Sequence, residues 1–469
     1  MYDGGGGAGL RDYWDLMWKN PRAAGGFLWV FADEGVARTD ENGKIDTHGS
    51  SAPDGVLGPY HEKEGSFFAI KEVWSPVQLF DKDITQAFDG TFKVENQYFY
   101  TNLNECSFSW RLAKMALPND DSVVKEVSGT AEAPDVAPGH WELLNVNLPN
   151  DWKSYDVLYI TAKDKYGQEL YTWSKPISLP KDVVKELEAK SGASQPVTYS
   201  EKDSLLIVRA GGVEFTISKN SGYLLKIVNA KGEIPFTNGP LLCAGEVVHK
   251  SVEPKMDGDT LNVRYTFDVL KSRMKQFTWT FYPSGWAKLN MYYVPFKYDV
   301  DFDYMGVSFN YPERLVRGVE WLGRGPYRVW KNRTQGVELG VHQKDYNNTI
   351  TGVPPFVYPE FKGYHSNLYW AKIESKEQSF LVATSSEDVY LRLYTPAQPE
   401  KVFERVAPAF PPGDISFLQA IPPIGTKSND PWNMGPSGKK NMFFDYGPYD
   451  DWHKRSKIMT LFFNFSANQ

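Results

Sequence analysis

The sequence predicts a mainly β protein in which a short α/β segment precedes two β-sandwiches, on three observations. An amphipathic helix pattern and then an almost wholly apolar run fill residues 10–31, alternation of period two takes over near Pro76, and a charged stretch followed by a Gly/Ser/Pro run at 181–196 divides the alternating region in two.

Leu10, Trp14, Met17 and Trp18 fall at i, i+4, i+7 and i+8 and place one apolar stripe on a short helix, which Asn20–Pro21 ends. Gly25–Phe31 reads as a strand buried on both faces of a parallel sheet. Helix followed by buried strand is the repeat of a (β/α)8 barrel, so GGFLWVFADEG at Gly25–Gly35 reads as the last barrel strand running into an active-site loop. A whole barrel takes about 250 residues. Residues 1–75 are therefore expected to be the incomplete C-terminal end of one, open along an edge and held by another chain or prone to aggregate. Ala32–Val73 reads as a long functional loop.

Residues 76–180 alternate through Thr91–Tyr100, Glu105–Ala113, Trp141–Asn147 and Val157–Lys163, the last turning at Asp164–Gly167 into Glu169–Trp173. Short strands with no helix between them indicate an immunoglobulin-like sandwich. Lys181–Lys190 is a helix-prone connector, and Ser191–Pro196 completes a linker over 181–196. Residues 197–469 run strand after strand with turns at Asn220–Gly222, Lys231–Gly232 and Ser284–Gly285. There Phe277, Trp279 and Phe281 share one face and Thr278 and Thr280 the other, as in a large two-sheet sandwich.

A formal net charge of −7 with interspersed signs provides no basic stripe, which excludes a nucleic-acid partner. No apolar run reaches the roughly 20 residues a bilayer requires, and MYDGGGGAGL lacks the basic and apolar regions of a signal peptide. Neither a membrane role nor a leader is expected; bacterial cytoplasm and periplasm stay open. Cys106 and Cys243 are expected to be small buried side chains rather than a disulfide framework. Aromatic residues make up 15% of the chain, an excess that suits sugar stacking and β-sandwich cores equally. GPSGKK lacks the spacing of a phosphate loop, DENGK at Asp40–Lys44 is a hairpin turn rather than an EF-hand, and no GxSxG, HExxH or paired CxxC occurs.

LRDYWDLMWKNPRAAGGFLW at Leu10–Trp29, WLGRGP within WLGRGPYRVWKNR at Trp321–Arg333, and the terminal region around Trp432 together resemble the C-terminal portion of glycoside hydrolase family 2, most closely the large β-galactosidases. The resemblance implies that residues 197–469 form a galactose-mutarotase-like supersandwich, the β-galactosidase small chain, and that the parent enzyme is a retaining β-glycosidase acting on terminal β-linked sugars. Retention needs two carboxyl groups about 5–5.5 Å apart. By the resemblance both glutamates lie upstream of Met1, so no catalytic residue is expected here and the native N-terminus is expected to be missing. Asp33 and Glu34 are the tempting local pair, but neighbouring residues on an extended segment point to opposite faces.

The resemblance further implies a substrate-binding set. Trp29 matches the apolar floor of the sugar site, a barrel-core ring being the competing reading, and the peptide bond from Trp29 to Val30 is expected to be cis. Asp54, Tyr60, His61 and Glu62, in the loop SAPDGVLGPYHEKEG at Ser51–Gly65, are candidates for sugar hydroxyl contacts, where some relatives also hold a monovalent or divalent cation. Trp432, in NDPWNMGPSGKKN at Asn429–Asn441, is a stacking platform or a plug for the sandwich end. His342, Glu360 and His365 are placed at the rim of the cleft. Two readings follow: a chain that builds one wall of a sugar site and works with an N-terminal barrel-bearing fragment or as a homo-oligomer, or a non-catalytic carbohydrate-binding or assembly module.

Overall fold

Alternation along Thr91–Asn96 and Ser107–Ala113 puts Phe92, Val94, Phe108, Trp110 and Leu112 on one side of their strands. The chain buries that side by laying one sheet on another. The first runs Val77–Leu79, Thr91–Asn96, Trp141–Asn145; the second runs Glu126–Ala131, Ser107–Ala113, Val157–Lys163, Glu169–Pro176. Every pairing is antiparallel. The computed structural model describes residues 7–48, 51–80, 82–120, 125–192, 196–268, 271–293, 301–349, 357–396, 409–426, 428–441 and 457–467.

The larger sandwich starts at Thr198 and packs a ten-stranded sheet against a nine-stranded one. The expected turns at 220–222, 231–232 and 284–285 each separate two of its strands. Lys457–Asn464 lies in the middle of the nine-stranded sheet, paired with Trp286–Tyr293 on one side and Phe380–Thr384 on the other. Between the sheets Phe277, Trp279 and Phe281 are buried as their spacing predicts, and the Trp279 indole N–H donates to Gly222 O at 3.0 Å. The chain is thus mainly β. Cys106 and Cys243 are both free thiols in buried positions.

Among the described residues three α-helices fill the seams. The expected helix is α1, Leu10–Lys19; α2 spans Gly65–Val73 and α3 Pro180–Lys190. α3 is more than a connector: Val183, Val184 and Leu187 form one apolar face that wedges between Val157 and Tyr159 of the small sandwich and Trp286, Trp370 and Phe462 of the large one. Its start is fixed by Asp182 Oδ2 accepting from Leu179 N at 3.0 Å. Residues 193–195 of the linker and 1–6 at the glycine run lie outside the described residues.

The N-terminal segment departs from expectation in two ways. Gly25–Phe31 is not a strand buried on both faces: Phe27, Trp29 and Phe31 are largely exposed while Leu28 packs inward. A strand inside a parallel sheet needs a hydrogen-bonding neighbour on each side, and the described residues offer this segment only one, at 54–57. The long loop 32–73 in turn contains α2, whose Ile70 and Val73 pack on Leu10 of α1. The segment is also docked rather than loose, since Phe68 stacks on Tyr327 at 4.8 Å and Ala8 joins a core with Trp330 and Ile424. No helix among the described residues is long and apolar enough to cross a membrane.

Candidate functional site

The exposed rings of residues 27–31 stand on a short parallel ladder. Val56 N donates to Val30 O at 2.9 Å, Leu57 N to Phe31 O at 3.0 Å and Asp33 N to Leu57 O at 2.9 Å. The approach is so close that a Cβ at Gly55 would lie 2.2 Å from Asp33 N, and the Gly55 amide instead donates to Asp33 Oδ1 at 2.7 Å. Trp29 is 68% exposed, so it is no core ring, and the Trp29–Val30 bond is cis as expected. Asp33 points inward and is buried, which raises its carboxyl, with Asp54 adding to the rise; Glu34 is exposed. The two acids diverge as their adjacency requires.

The loop after the ladder supplies the polar candidates. His61 adopts a left-handed φ of 63° and sets its ring edge-on to Phe31 at 5.8 Å, beside the exposed Tyr60. Glu62 turns back, its Oε2 accepting from Tyr60 N at 2.7 Å. Asp54 is half-buried within the ladder. These side chains do not by themselves assemble a multi-carboxylate metal site. Glu62 and Asp33 each hold a backbone amide, and among the described residues no three His, Cys, Asp or Glu side chains converge as metal ligands.

Trp432 sits on a 3₁₀ turn, Pro431–Asn433, and is 59% exposed, so it does not plug the sandwich. Its loop is fastened to α1. Asp12 Oδ2 accepts from Ser437 N at 2.8 Å and Ser437 Oγ at 2.6 Å, and Tyr13 Oη donates to Asn433 O at 3.3 Å. Since Leu28 and Val56 pack against Leu10, Ile70 and Val73, the segments bearing Trp29 and Trp432 both rest on the α1–α2 pair. Gly9 enters α1 at φ 69°, where a Cβ would lie 2.5 Å from Met434 O. Gly9→Ala is expected to lose at least ~1–2 kcal/mol from the left-handed backbone alone. It should also release the 429–441 loop, read as faster proteolytic cleavage there than in the wild type.

Beneath the ladder lies a buried ionic cluster of which sequence reasoning named only Glu360 and His365, placing both at the cleft rim. Burial raises the Glu64 carboxyl to about 8, with Asp33 and Glu360 adding to the rise. Arg328 Nη2 lies 3.6 Å from Glu360 Oε1, both side chains being buried, and Arg328 Nη1 donates to Lys362 O at 3.2 Å. Lys344, lowered by burial to about 7, donates to Glu360 O at 2.6 Å. His365 is fully buried, and burial holds its imidazole well below the ordinary range. His342 lies against the Trp321 ring at 5.1 Å, because the antiparallel register sets the two opposite each other. Glu360 and His365 therefore belong to the interior, not to a cleft rim. Glu72 of α2 ties the seam, its Oε2 accepting from Gly336 N and from Tyr171 Oη, each at 2.7 Å. The one sequence signal for this cluster was the pair of arginines, Arg328 and Arg333, inside the quoted 321–333 motif.

Chemically, the surface offers exposed rings for the C–H faces of a sugar, and the neighbouring acids Asp33 and Glu34 beside them diverge. Residues 237–407 match the family described as beta galactosidase small chain. The chain is similar to the C-terminal portion of β-galactosidases. It is 23% identical over 423 residues to the β-galactosidase of Priestia megaterium, covering 80% of this chain and 39% of that protein. To the β-galactosidase of Pseudoalteromonas haloplanktis it is 19% identical over 433 residues, covering 78% and 40%. The chain thus spans about two-fifths of the length of the curated relatives it matches. Among solved structures, a complex of an Amycolatopsis orientalis exo-chitosanase with PNP-beta-D-glucosamine shares 12% identity, with 57% of this chain and 33% of that one covered and a TM-score of 0.20.

Proposed function

We propose that this β-galactosidase-like chain is the C-terminal part of a retaining family 2 β-glycosidase and builds one wall of its sugar site. In this reading residues 1–75 are the end of a (β/α)8 barrel, 76–180 an immunoglobulin-like domain, 181–196 a linker and 197–469 the small-chain supersandwich. Trp29 is the apolar floor, Trp432 the platform for the incoming ring, and Asp54, Tyr60, His61 and Glu62 meet hydroxyls at the rim. The catalytic carboxylates come from an upstream barrel region, on the same parent chain or on a partner fragment.

One observation carries the reading: two exposed tryptophans, 403 positions apart in sequence, stand on segments locked to the same helix pair. A single exposed Trp is ordinary; it is the gathering of two on one helix pair that supports a ligand surface. The adjacent acids add support, since Asp33 is turned inward onto Gly55 and Glu34 outward, an arrangement unsuited to a double displacement.

The test is hydrolysis of a chromogenic β-galactoside by the purified chain alone and mixed with a chain carrying the upstream barrel. Turnover only in the mixture, lost on Trp29→Ala, is the expected result. Brisk turnover by the chain alone overturns the reading. Sugar binding without turnover in either sample points instead to a carbohydrate-binding module.

A further inference from the structure

The face of the three-stranded sheet turned away from its core is not the polar surface an outer face usually presents. Thr91–Asn96 directs Phe92 and Val94 inward, leaving Lys93 and Glu95 outward, and the register sets Glu95 between Gln78 and Trp141 and Lys93 opposite Leu143. Trp141 and Leu143 are each 54% exposed. Lys93 Nζ lies 4.3 Å over the Trp141 ring and 4.6 Å over the Phe80 ring, so its ammonium props two aromatic faces side by side. From above, α1 lowers Trp18 toward this sheet, its indole N–H donating to Glu95 Oε1 at 3.3 Å. The space between is a cleft of about 610 Å³ lined by Trp18, Gln78, Phe80, Lys93, Glu95 and Gln97. Glu72, Trp173, Lys175 and Gln335 line both it and a second cavity of about 330 Å³ toward the large sandwich.

We propose that this cleft is a second glycan-binding site, holding a neutral oligosaccharide chain against Trp18 and Phe80 inside it and against Trp141, which lies just outside the lining across Lys93, at a distance from the Trp29 surface. The inference rests on the glycosidase reading only for the class of ligand. Its physical basis is the mixture of ring faces with amide and carboxylate groups, which matches the alternating C–H faces and hydroxyls of a sugar.

Charge selects the occupant further. Glu95 accepts from Trp18 and, through Oε2, from Gln97 Nε2 at 3.1 Å; Arg11 lies 3.6 Å from Asp15 and donates to Gln78 at 3.0 Å; Lys93 is spent on the two rings. The charged lining is close to balanced, Arg11, Lys19, Lys93 and Lys175 against Asp15, Glu72 and Glu95, so the cleft offers little net field to an anionic polymer or a basic peptide, and a hydroxyl-rich uncharged ligand competes best. A second copy of the chain fits poorly, because the rings are separated by charged and amide groups rather than joined into the apolar centre that homodimer interfaces carry.

The test is affinity electrophoresis of the full chain through gels containing neutral β-linked polysaccharides: galactan, mannan, xylan and a soluble glucan. Retardation by at least one is expected, weakened tenfold or more by Trp141→Ala and by Phe80→Ala. Both rings are exposed enough for melting temperatures to stay near that of the wild type. Any retardation carried by the proposed sugar wall falls with Trp29→Ala, whereas the share that persists in Trp29→Ala and falls with Trp141→Ala belongs to this cleft. No retardation in any gel overturns the proposal, as does retardation indifferent to Trp141 and Phe80. Sedimentation showing self-association that Trp141→Ala abolishes overturns it too, and assigns the face to a second copy.

Discussion

Arg328→Met is expected to destabilise the chain by about 3–5 kcal/mol, the cost of leaving one partner of a buried ion pair behind. Arg328 is 2% exposed, and its guanidinium serves Glu360, the Lys362 carbonyl and, through its own carbonyl oxygen, Arg333 Nη2 at 2.9 Å. Met fills similar volume without charge, so the loss reports electrostatics rather than a cavity. Adding Glu360→Gln should restore a substantial part of the loss, because removing both charges of a buried pair is far cheaper than removing one. Denaturant midpoints of the two single variants and the double close the cycle. A single variant within 1 kcal/mol of the wild type would show that the pair does not hold the seam. A double variant no better than Arg328→Met would show that the guanidinium matters through its carbonyl contact instead.

That cluster also marks where the sequence stops being readable. The inner strands of both sandwiches were legible, because a half-buried strand writes its period into the chain: Val157–Lys163 falls where the alternation places it, and Phe277, Trp279 and Phe281 are all inside. Val77–Leu79 has three residues and no room for a period, and Glu126–Ala131 is a largely exposed edge strand with a glycine in it, so neither announced itself. α2 was hidden because GSFFAIKEV begins on glycine, lacks acidic residues in its first turn and spans barely two and a half turns. Trp29 was named through the family resemblance rather than through any local pattern, and the ladder that carries it joins segments about 25 residues apart. Glu64, Lys344 and His365 were not: their burial follows from contacts such as Arg333 to Ser66 across 267 positions, which no local pattern records. The apolar run 25–31 misled for the complementary reason. Its composition reports what the segment can pair with, whereas its exposure reports what it does pair with, and the described residues supply one neighbour.

Glu64→Gln is expected to flatten a pH dependence that the wild type must show. Glu64 is 3% exposed, with Asp33 and Glu360 acting on it and Tyr358 as a hydrogen-bond partner, and its Oε1 has no hydrogen bond among the described residues. Burial lifts its folded value to about 8 from an ordinary 4.5. Below about 4.5 both folded and unfolded chains keep the proton and the group contributes nothing to the balance. Between the two values the unfolded chain releases the proton while the folded chain retains it, so stability falls as pH rises, by up to ~1.4 kcal/mol per pH unit for one group. Above about 8 the full penalty of a buried carboxylate is present. Glutamine keeps the neutral shape at every pH and removes the slope, so the variant should match the wild type near pH 4.5 and exceed it increasingly toward pH 8. Asp33, also raised by burial, adds slope of the same sign, and His365 and Lys344, lowered by burial, add slope of the opposite sign; these contributions are common to both proteins, so the difference between the profiles reports Glu64. Urea midpoints taken at half-unit intervals from pH 4.5 to 8.5 measure the difference directly. Parallel profiles for the two proteins would mean that Glu64 ionises in the folded chain as freely as in water and that the floor beneath the Trp29 ladder is wet.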